Sequence, residues 1–237
     1  MDIAAIGHRA LAWCSALVFT DTCPTCAGTP DDLMTAPICR ACWSAMARYT
    51  GPACEVCARP FASPLSTICG ECLKKPPPFV RAQSYTLYGE TMKEAIHLLK
   101  YSRIKRLARP LAARLVGLSL PEVDAVIPVP IGLGGLRERG FNQTLQIGRV
   151  VARHLGVPMI ADVLYRKRET ARQAGLTRTQ RIANLRGAFG TRGPLPARRV
   201  LLVDDVITTG TTASECAKAL RKAGAAEIHV VTLARTY

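Results

Sequence analysis

Eight of the ten cysteines in this chain form four C-x-x-C pairs within its first 72 residues. The gaps between successive pairs are 12, 11 and 11 residues. Two residues between thiols let both sulfurs of a tight turn face one tetrahedral ion, and two such turns complete a four-thiolate site. The spacing therefore predicts two structural zinc ions, with no ligand position left open for water. The predicted ligands are Cys23, Cys26, Cys39, Cys42, Cys54, Cys57, Cys69 and Cys72.

The pairs can be combined in two ways. Sequential pairing, in which the first four and the last four cysteines each bind one ion, is the simpler assignment, and interleaved pairing is the alternative. A disulfide framework competes with both, but intracellular thiols are kept reduced and no convincing secretory segment precedes the pairs. We therefore predict zinc-binding thiolates and a cytoplasmic protein.

The first 22 residues need a separate interpretation. Residues 11–20 are apolar and follow His8 and Arg9, as in a signal peptide. Asp2 comes too early for such a peptide, and a cleavage site of the small-x-small type is missing. Residues 11–20 are also too few to cross a bilayer, which takes about 18 apolar residues. We predict a packed helix over residues 1–22 and no membrane span.

A second chemically informative segment, VLLVDDVITTGTT, occupies residues 200–212. Its apolar half predicts a buried strand that carries Asp204 and Asp205 to the edge of a sheet. The threonine- and glycine-rich half predicts a loop whose amides lie at a helix N-terminus. Carboxylates accept hydrogen bonds from ribose hydroxyls, whereas such amides and the helix dipole hold a phosphate. The predicted ligand is a sugar phosphate, with its phosphate at Thr208, Thr209, Gly210, Thr211 and Thr212.

Composition and charge divide the chain at a proline-rich stretch, residues 74–78. The 237 residues are 49% apolar, which excludes a disordered or collagen-like protein. Residues 1–79 hold six basic and six acidic side chains, so the formal net charge of +15 belongs to residues 80–237. Residues 93–114 and 166–186 each hold seven basic residues and one acidic residue. Such runs are commonly solvated faces, and they also suit a phosphorylated or polymeric anion.

The rest of the chain alternates predicted helices and strands. Capping boxes at Thr91 and Thr212 and an N-cap at Asn142 mark three helix starts. This alternation predicts a parallel sheet flanked by helices, with ligands at the carboxyl ends of the strands. The predicted helices are 92–101, 105–118, 143–155 and one from 212 to Gly224, and the predicted strands are 124–129, 159–164, 200–204 and 228–233. A glycine-rich loop is predicted over 132–140 and a basic segment over 165–187.

Residues 200–212 closely resemble the thirteen-residue PRPP-binding signature of type I phosphoribosyltransferases. The resemblance implies an α/β phosphoribosyltransferase-like domain over residues 80–237, preceded by a double zinc ribbon over residues 23–75. By position, Asp204 and Asp205 would contact the ribose hydroxyls, and the Thr208 to Thr212 loop would wrap the 5′-phosphate. In that family Mg²⁺ bridges the pyrophosphate and hydroxyls of PRPP, so the resemblance also implies Mg²⁺.

Further segments are similar to the ComF family of competence proteins, and the similarity covers nearly the whole chain from Cys23. They are HLLKY at residues 97–101, VIPVP at 126–130, RERGFNQ at 137–143, and the pattern T-x-x-Q-x-x-L with R-x-x-N over 170–184. ComF relatives are linked to the uptake of single-stranded DNA in natural transformation, beside a helicase-like ATPase. The resemblance therefore implies these partners besides PRPP or a related sugar phosphate.

Analogy with type I enzymes gives roles to two more segments. The loop after strand 124–129 would hold pyrophosphate, with Arg137 and Arg139 as its candidates, and residues 165–187 would close over the reaction. The implied reaction is displacement of pyrophosphate from C1 of PRPP by a nitrogen nucleophile, and the sequence identifies neither the acceptor nor a general base. A role in nucleotide metabolism stays open. Two non-catalytic alternatives also stay open, a single-stranded-DNA-binding module and a PRPP-sensing regulator.

Overall fold

The computed structural model describes residues 22–169 and 177–237, without the side chains of Arg178 and Arg181. The predicted N-terminal helix lies outside the described residues, apart from residue 22. Within these two ranges, no helix is long and apolar enough to span a membrane.

Helices and strands alternate through most of the described chain. The strands are β1 (Arg81–Leu87), β2 (Ala125–Pro128), β3 (Leu164–Arg166), β4 (Phe189–Thr191), β5 (Arg199–Ile207) and β6 (Glu227–Arg235). The helices are α1 (Arg40–Ala45), α2 (Gly70–Lys74), α3 (Glu90–Lys100), α4 (Ala108–Val116), α5 (Leu133–Arg139), α6 (Gln143–Leu155), α7 (Arg178–Leu185) and α8 (Thr211–Lys222). A 3₁₀ turn, Lys105–Leu107, precedes α4.

The central sheet contains four parallel strands in the order β1-β6-β5-β2. Its inner strands are apolar on both faces, as expected for a parallel sheet covered by helices. Leu201 and Val203 of β5 pack towards α3, α4 and α6. Val200 and Leu202 pack towards α8 and the antiparallel pair of strands β3 and β4. The side chains of β5 therefore alternate between two cores, and this alternation fixes where its last polar residues point.

Several predicted elements are confirmed. Strand 124–129 is β2, and helix 143–155 is α6, whose N-cap Asn142 accepts a hydrogen bond from the Thr144 amide. Strand 200–204 is the middle of β5, which is longer than predicted. Strand 228–233 is likewise part of the longer β6, which continues to Arg235. The two longer strands extend the sheet edge on which the candidate site lies.

Other predictions at this level are wrong. The glycine-rich stretch 132–140 is not a loop, because residues 133–139 form α5, which ends where Gly140 adopts a left-handed φ of 74°. Neither predicted capping box forms. Helix α3 begins at Glu90 after Gly89, and α8 begins at Thr211 after Gly210, with no side-chain cap at either. The predicted start of each helix is within two residues of the observed start, but the N-cap residue is a glycine and not the predicted threonine.

Three further differences concern the sheet and its surroundings. Strand β1 was not predicted, although it forms one edge of the sheet. Helix 105–118 starts as a 3₁₀ turn and ends at Val116. The predicted strand 159–164 is reduced to one bridge, between Met159 and Val126, before the short strand β3. The segment 165–187 contains the end of β3 and all of α7, and its residues 170–176 lie outside the described ranges.

The first four-cysteine unit packs on the helical side of the domain. Ile38, Trp43 and Met46 belong to the same apolar core as α3 and α4. Two arginines of the α/β domain donate hydrogen bonds to backbone carbonyls of this unit. Arg114 donates to the Trp43 carbonyl over 2.7 Å, and Arg106 donates to the Ala36 carbonyl over 2.8 Å. Part of the basic stretch 93–114 thus serves internal contacts and is not a free surface.

Candidate functional site

A cleft of about 530 Å³ opens at the carboxyl ends of β2 and β5. This is the edge of a parallel α/β sheet at which ligands bind. Most of the predicted ligand-binding residues line this cleft. They are Asp204, Asp205, Thr208, Gly210, Thr211, Thr212 and Arg139. Thr209 does not line it, but its hydroxyl is 2.7 Å from that of Thr211. Arg137 also lies outside the lining.

The two aspartates point to opposite faces of β5 because they are adjacent in a strand. Asp205 shares the face of Val203 and meets the helices on that side. Lys100 Nζ of α3 is 2.6 Å from Asp205 Oδ1, and Gln143 of α6 donates to Oδ2 over 2.6 Å. Asp205 is 5% exposed, so this is a buried ion pair with both oxygens engaged. Its carboxylate is held rigidly by two helices.

Asp204 lies on the α8 side and is half-buried. Its Oδ1 accepts a hydrogen bond from the Asp205 amide over 2.9 Å. Burial and the neighbouring Asp205 charge raise the pKa of Asp204 to about 7, although Lys100 and Arg139 lower it. A carboxyl with such a pKa exchanges its proton near neutral pH and gains from a ligand that donates hydrogen bonds or brings positive charge.

The start of α8 forms a compact anion cradle. Gly210, the N-cap, has a left-handed φ of 77°, which turns the chain sharply after β5. The amides of the following residues begin a twelve-residue helix whose dipole favours negative charge at this end. Threonine hydroxyls at 208, 211 and 212 add donors around the same point. Local sequence alone predicted this part of the site.

Two arginines contribute positive charge to the cleft. Arg139 lies 5.4 Å from the centre of the Tyr101 ring and donates to Gln143 Oε1 over 3.1 Å. Its Nε is buried and has no hydrogen-bond partner among the described residues. Arg166 lies 5.7 Å from the centre of the Phe189 ring, and burial lowers its pKa. A buried N–H without an acceptor is costly, so Arg139 is suited to an anionic ligand.

Glu169 is an unexpected member of the site. Its Oε1 accepts from the Leu133 amide over 2.5 Å and from the Gly134 amide over 3.4 Å, at the start of α5. A Cβ on Gly132 would lie 2.7 Å from Glu169 Oε2, so glycine at this position leaves room for the carboxylate. The segment that the resemblance assigns to pyrophosphate therefore already holds a carboxylate of the chain itself.

The cysteines form two separate tetrads, and the pairing is sequential. Cys23, Cys26, Cys39 and Cys42 form the first tetrad, and Cys54, Cys57, Cys69 and Cys72 form the second. The Cys26–Cys39 and Cys57–Cys69 sulfur separations are 3.6 and 3.7 Å. Zinc–sulfur bonds of about 2.3 Å in a tetrahedron require about 3.8 Å between sulfurs. The sulfurs therefore fit one zinc ion in each tetrad.

The two tetrads repeat one local structure. In each, a later cysteine amide donates to the first sulfur, over 3.4 Å from Cys39 to Cys23 and 3.3 Å from Cys69 to Cys54. Burial raises the pKa of both first thiols, but surrounding amides outweigh it and lower the pKa to about 6 for Cys23 and about 7 for Cys54. Each tetrad thus contains one thiol prepared to bind metal as the thiolate.

Two family models match the chain. The one described as a double zinc ribbon domain matches residues 14–73, and the one described as a phosphoribosyl transferase domain matches residues 142–236. "DNA utilization protein YhgH" of Salmonella typhimurium is 36% identical over 209 residues, covering 84% of this chain and 90% of that protein. "Competence protein F" of Haemophilus influenzae is 33% identical over 223 residues, covering 89% and 90%. The chain belongs to the ComF family.

Two more distant similarities accompany these relatives. "Competence protein ComFC" of Streptococcus pneumoniae is 27% identical and covers 84% of the chain and 87% of that protein. Among solved structures, glutamine phosphoribosylpyrophosphate amidotransferase from B. subtilis is 26% identical, with a TM-score of 0.36 over 53% of this chain and 25% of that chain. The predicted fold class is confirmed, because a phosphoribosyltransferase-like parallel sheet follows a double zinc ribbon.

Sequence reasoning missed three polar residues of the ComF cleft, Lys100, Gln143 and Glu169. Lys100 continues the buried stripe of α3, four residues after Ile96. A cation on an apolar helix stripe is a signal that a buried anion lies opposite. Gln143 was part of a family motif but received no role. Glu169, the one acidic residue in a basic run, gave no local signal of the amides that it reaches.

Proposed function

We propose that the cleft binds PRPP, or a related sugar phosphate, together with Mg²⁺ and that the protein transfers the 5-phosphoribosyl group to a nitrogen acceptor. The observation that carries this proposal is the joining of Asp204 to the α8 amide cradle in one 530 Å³ cleft. A carboxylate beside a helix N-terminus suits a molecule that carries hydroxyls next to a phosphate. The double zinc ribbon plays a structural part in this proposal.

Each part of the ligand has a matching group. The 5′-phosphate would accept from the amides and hydroxyls of residues 208–212, and the ribose hydroxyls would donate to Asp204. Asp205 would act mainly as a positioning residue, because Lys100 and Gln143 already engage both of its oxygens. Arg139 would donate its unpartnered Nε to the pyrophosphate. Arg137 is a weaker candidate, since it does not line the cleft.

Mg²⁺ fits the same cleft. In proteins this ion is held by one or two carboxylates together with substrate phosphates, and Asp204 supplies such a carboxylate. When bound, Mg²⁺ would neutralise charge on the departing pyrophosphate. Arg139 would supply further positive charge for the same group. In the transfer the C1–O bond to pyrophosphate breaks and a C1–N bond forms, with the acceptor losing a proton.

Calorimetric titration of the zinc-loaded protein with PRPP and Mg²⁺ tests this proposal. We expect saturable binding by the wild-type protein and at least tenfold weaker binding by Asp204→Asn. Asp162→Asn removes an exposed carboxylate outside the cleft and serves as the matched control. No binding by the wild-type protein, or equal binding by both variants, would contradict the proposal. Binding without turnover of any amine would favour a PRPP-sensing regulator.

A second candidate function is binding of single-stranded DNA, beside a helicase-like ATPase in competence. The relatives named for DNA utilization and competence favour it, as do three exposed cations, Lys93, Lys105 and Arg109. Charge reversal at Lys93 and Arg109 should weaken DNA binding and reduce its salt dependence. Arg106 is unsuitable for this test, because it holds the first ribbon. Binding that does not weaken as salt rises would contradict backbone contact. For either function we propose a cytoplasmic location, where thiolates stay reduced.

A further inference from the structure

Arg235, at the end of β6, is an arginine with an unusual environment. Its side chain is 2% exposed, yet Nε and Nη1 have no hydrogen-bond partner among the described residues. It forms no ion pair within 4.0 Å with a described carboxylate. A buried guanidinium without a counter-charge is strongly unfavourable, so the charge that balances it must come from another group.

The second tetrad lies beside Arg235. Arg235 and Cys54 line the same cavity of about 200 Å³, between the second ribbon and β1. Burial lowers the pKa of Arg235, whereas Cys57, Cys69 and Cys72 raise it. The ribbon is fixed beside the strand, because the Ala82 amide of β1 donates to the Val56 carbonyl over 2.8 Å. Four thiolates around one Zn²⁺ carry a net charge of −2 in a closed site, which matches a buried cation.

A neighbouring arginine and the first tetrad provide contrasts. Arg59 is near the same thiols, but it already forms an ion pair with Glu71 at 2.7 Å. No carboxylate in residues 22–169 or 177–237 pairs with Arg235 in this way. In the first tetrad Cys26 is exposed and Cys42 is half-buried, so water screens the charge of the first zinc–thiolate site. All four cysteines of the second tetrad are buried, so water screens the charge of that site less.

We propose that Arg235 is the charge partner of the second zinc–thiolate site, so that the last strand of the phosphoribosyltransferase-like sheet sets zinc retention in the second ribbon. This role is independent of what the cleft binds. Groups that surround a metal site in this way commonly change metal affinity about 10- to 100-fold. Arg235 lines a cavity with Cys54 and with no cysteine of the first tetrad, so the first site should not respond to Arg235.

Zinc release from the holoprotein to a chromogenic chelator tests this role in Arg235→Gln and Arg235→Lys. We expect the Gln variant to release one of its two zinc ions at least tenfold faster than wild type, and the Lys variant to stay within about threefold. Release of both ions at the wild-type rate by Arg235→Gln would overturn the proposal. Equal acceleration of both ions would also overturn it, because the effect would then be global.

Two further measurements keep the test decisive if the Gln variant does not fold. Arg235→Lys then provides the test by itself. Because this variant keeps the positive charge, rapid zinc loss from the folded Arg235→Lys protein would overturn the proposal. In cobalt-substituted protein, loss of a nearby positive charge should move the thiolate-to-cobalt absorption of one site to longer wavelength in Arg235→Gln. The same band should move much less in Arg59→Gln. An equal shift in both variants would show that nearby positive charge in general, and not Arg235 in particular, affects the site, and it would overturn the proposal.

Discussion

Two clusters of anionic groups lie beside the same sheet, the second cysteine tetrad and the aspartate pair at the end of β5. A cation from another element accompanies each cluster, since Arg235 lines a cavity with Cys54 and Lys100 Nζ is 2.6 Å from Asp205 Oδ1. The tetrad is closed, because its four sulfurs lie within 4.8 Å of one another and would fill all four positions of one zinc ion. The aspartate pair opens into a cleft and leaves Asp204 and the α8 amides for a ligand. Closure of the ligand set therefore separates the structural metal site from the proposed binding site within one chain.

The largest effect is expected from breaking the closed cluster. Cys54→Ser removes one of four ligands, and a small module with few apolar residues cannot compensate. We expect metal analysis to give one zinc ion per chain and hydrogen exchange to show unfolding of residues 53–73. Cys216→Ala, which changes a buried cysteine outside both tetrads, should retain two zinc ions. A Cys54→Ser protein with two zinc ions would show that the tetrad is not the site.

Removing the cation of the open cluster should have the next largest effect. Lys100→Met leaves Asp205 buried and without its cation, which costs about 3–5 kcal/mol of unfolding free energy. Denaturant unfolding measures this cost. The double variant Lys100→Met/Asp205→Asn should recover part of it, and Lys93→Met, at an exposed position of the same helix, should cost less than about 0.5 kcal/mol. An equal loss of unfolding free energy in Lys100→Met and Lys93→Met would contradict a stabilising role for the Lys100–Asp205 ion pair.

The raised pKa of Asp204 predicts a particular pH dependence. Its folded value of about 7 is above the ordinary value of 3.8, so the native state keeps a proton that the unfolded chain has lost between these pH values. The contribution of Asp204 to stability therefore falls as pH rises through this window. Asp204→Asn should match wild type near pH 4 and exceed its unfolding free energy at pH 8 by up to about 4 kcal/mol, because each pKa unit is worth about 1.4 kcal/mol. A difference that does not change with pH would contradict this.

The smallest expected effect is on PRPP affinity and comes from Glu169, whose carboxylate accepts hydrogen bonds from two amides at the start of α5. If pyrophosphate uses these amides, the carboxylate competes with it, and Glu169→Gln should tighten PRPP binding about threefold to tenfold, or by about 1 kcal/mol. Glu122→Gln, at an exposed position outside the cleft, should leave affinity unchanged. Weaker binding by Glu169→Gln would indicate that the carboxylate assists the ligand.

Local pattern explains what could be predicted from the sequence. The tetrads and the β5-α8 turn are each built from neighbouring residues, so spacing and residue type were sufficient. Lys100 and Gln143 precede Asp205 by 105 and 62 residues, and only the folded sheet brings them together. Arg235 likewise reaches the cavity that Cys54 lines because β6 pairs with the unpredicted edge strand β1. Glycines misled the prediction at 132–140, because their backbone freedom is also compatible with a short helix.

Amide hydrogen exchange of the zinc-loaded protein, with and without PRPP and Mg²⁺, compares the two clusters within one experiment. If the open cluster is the ligand site, the ligand slows exchange in residues 208–213 at the start of α8 and leaves residues 53–73 of the second ribbon unchanged. Protection confined to the ribbon or to residues 93–114, with none in residues 208–213, would show that the ligand site lies elsewhere.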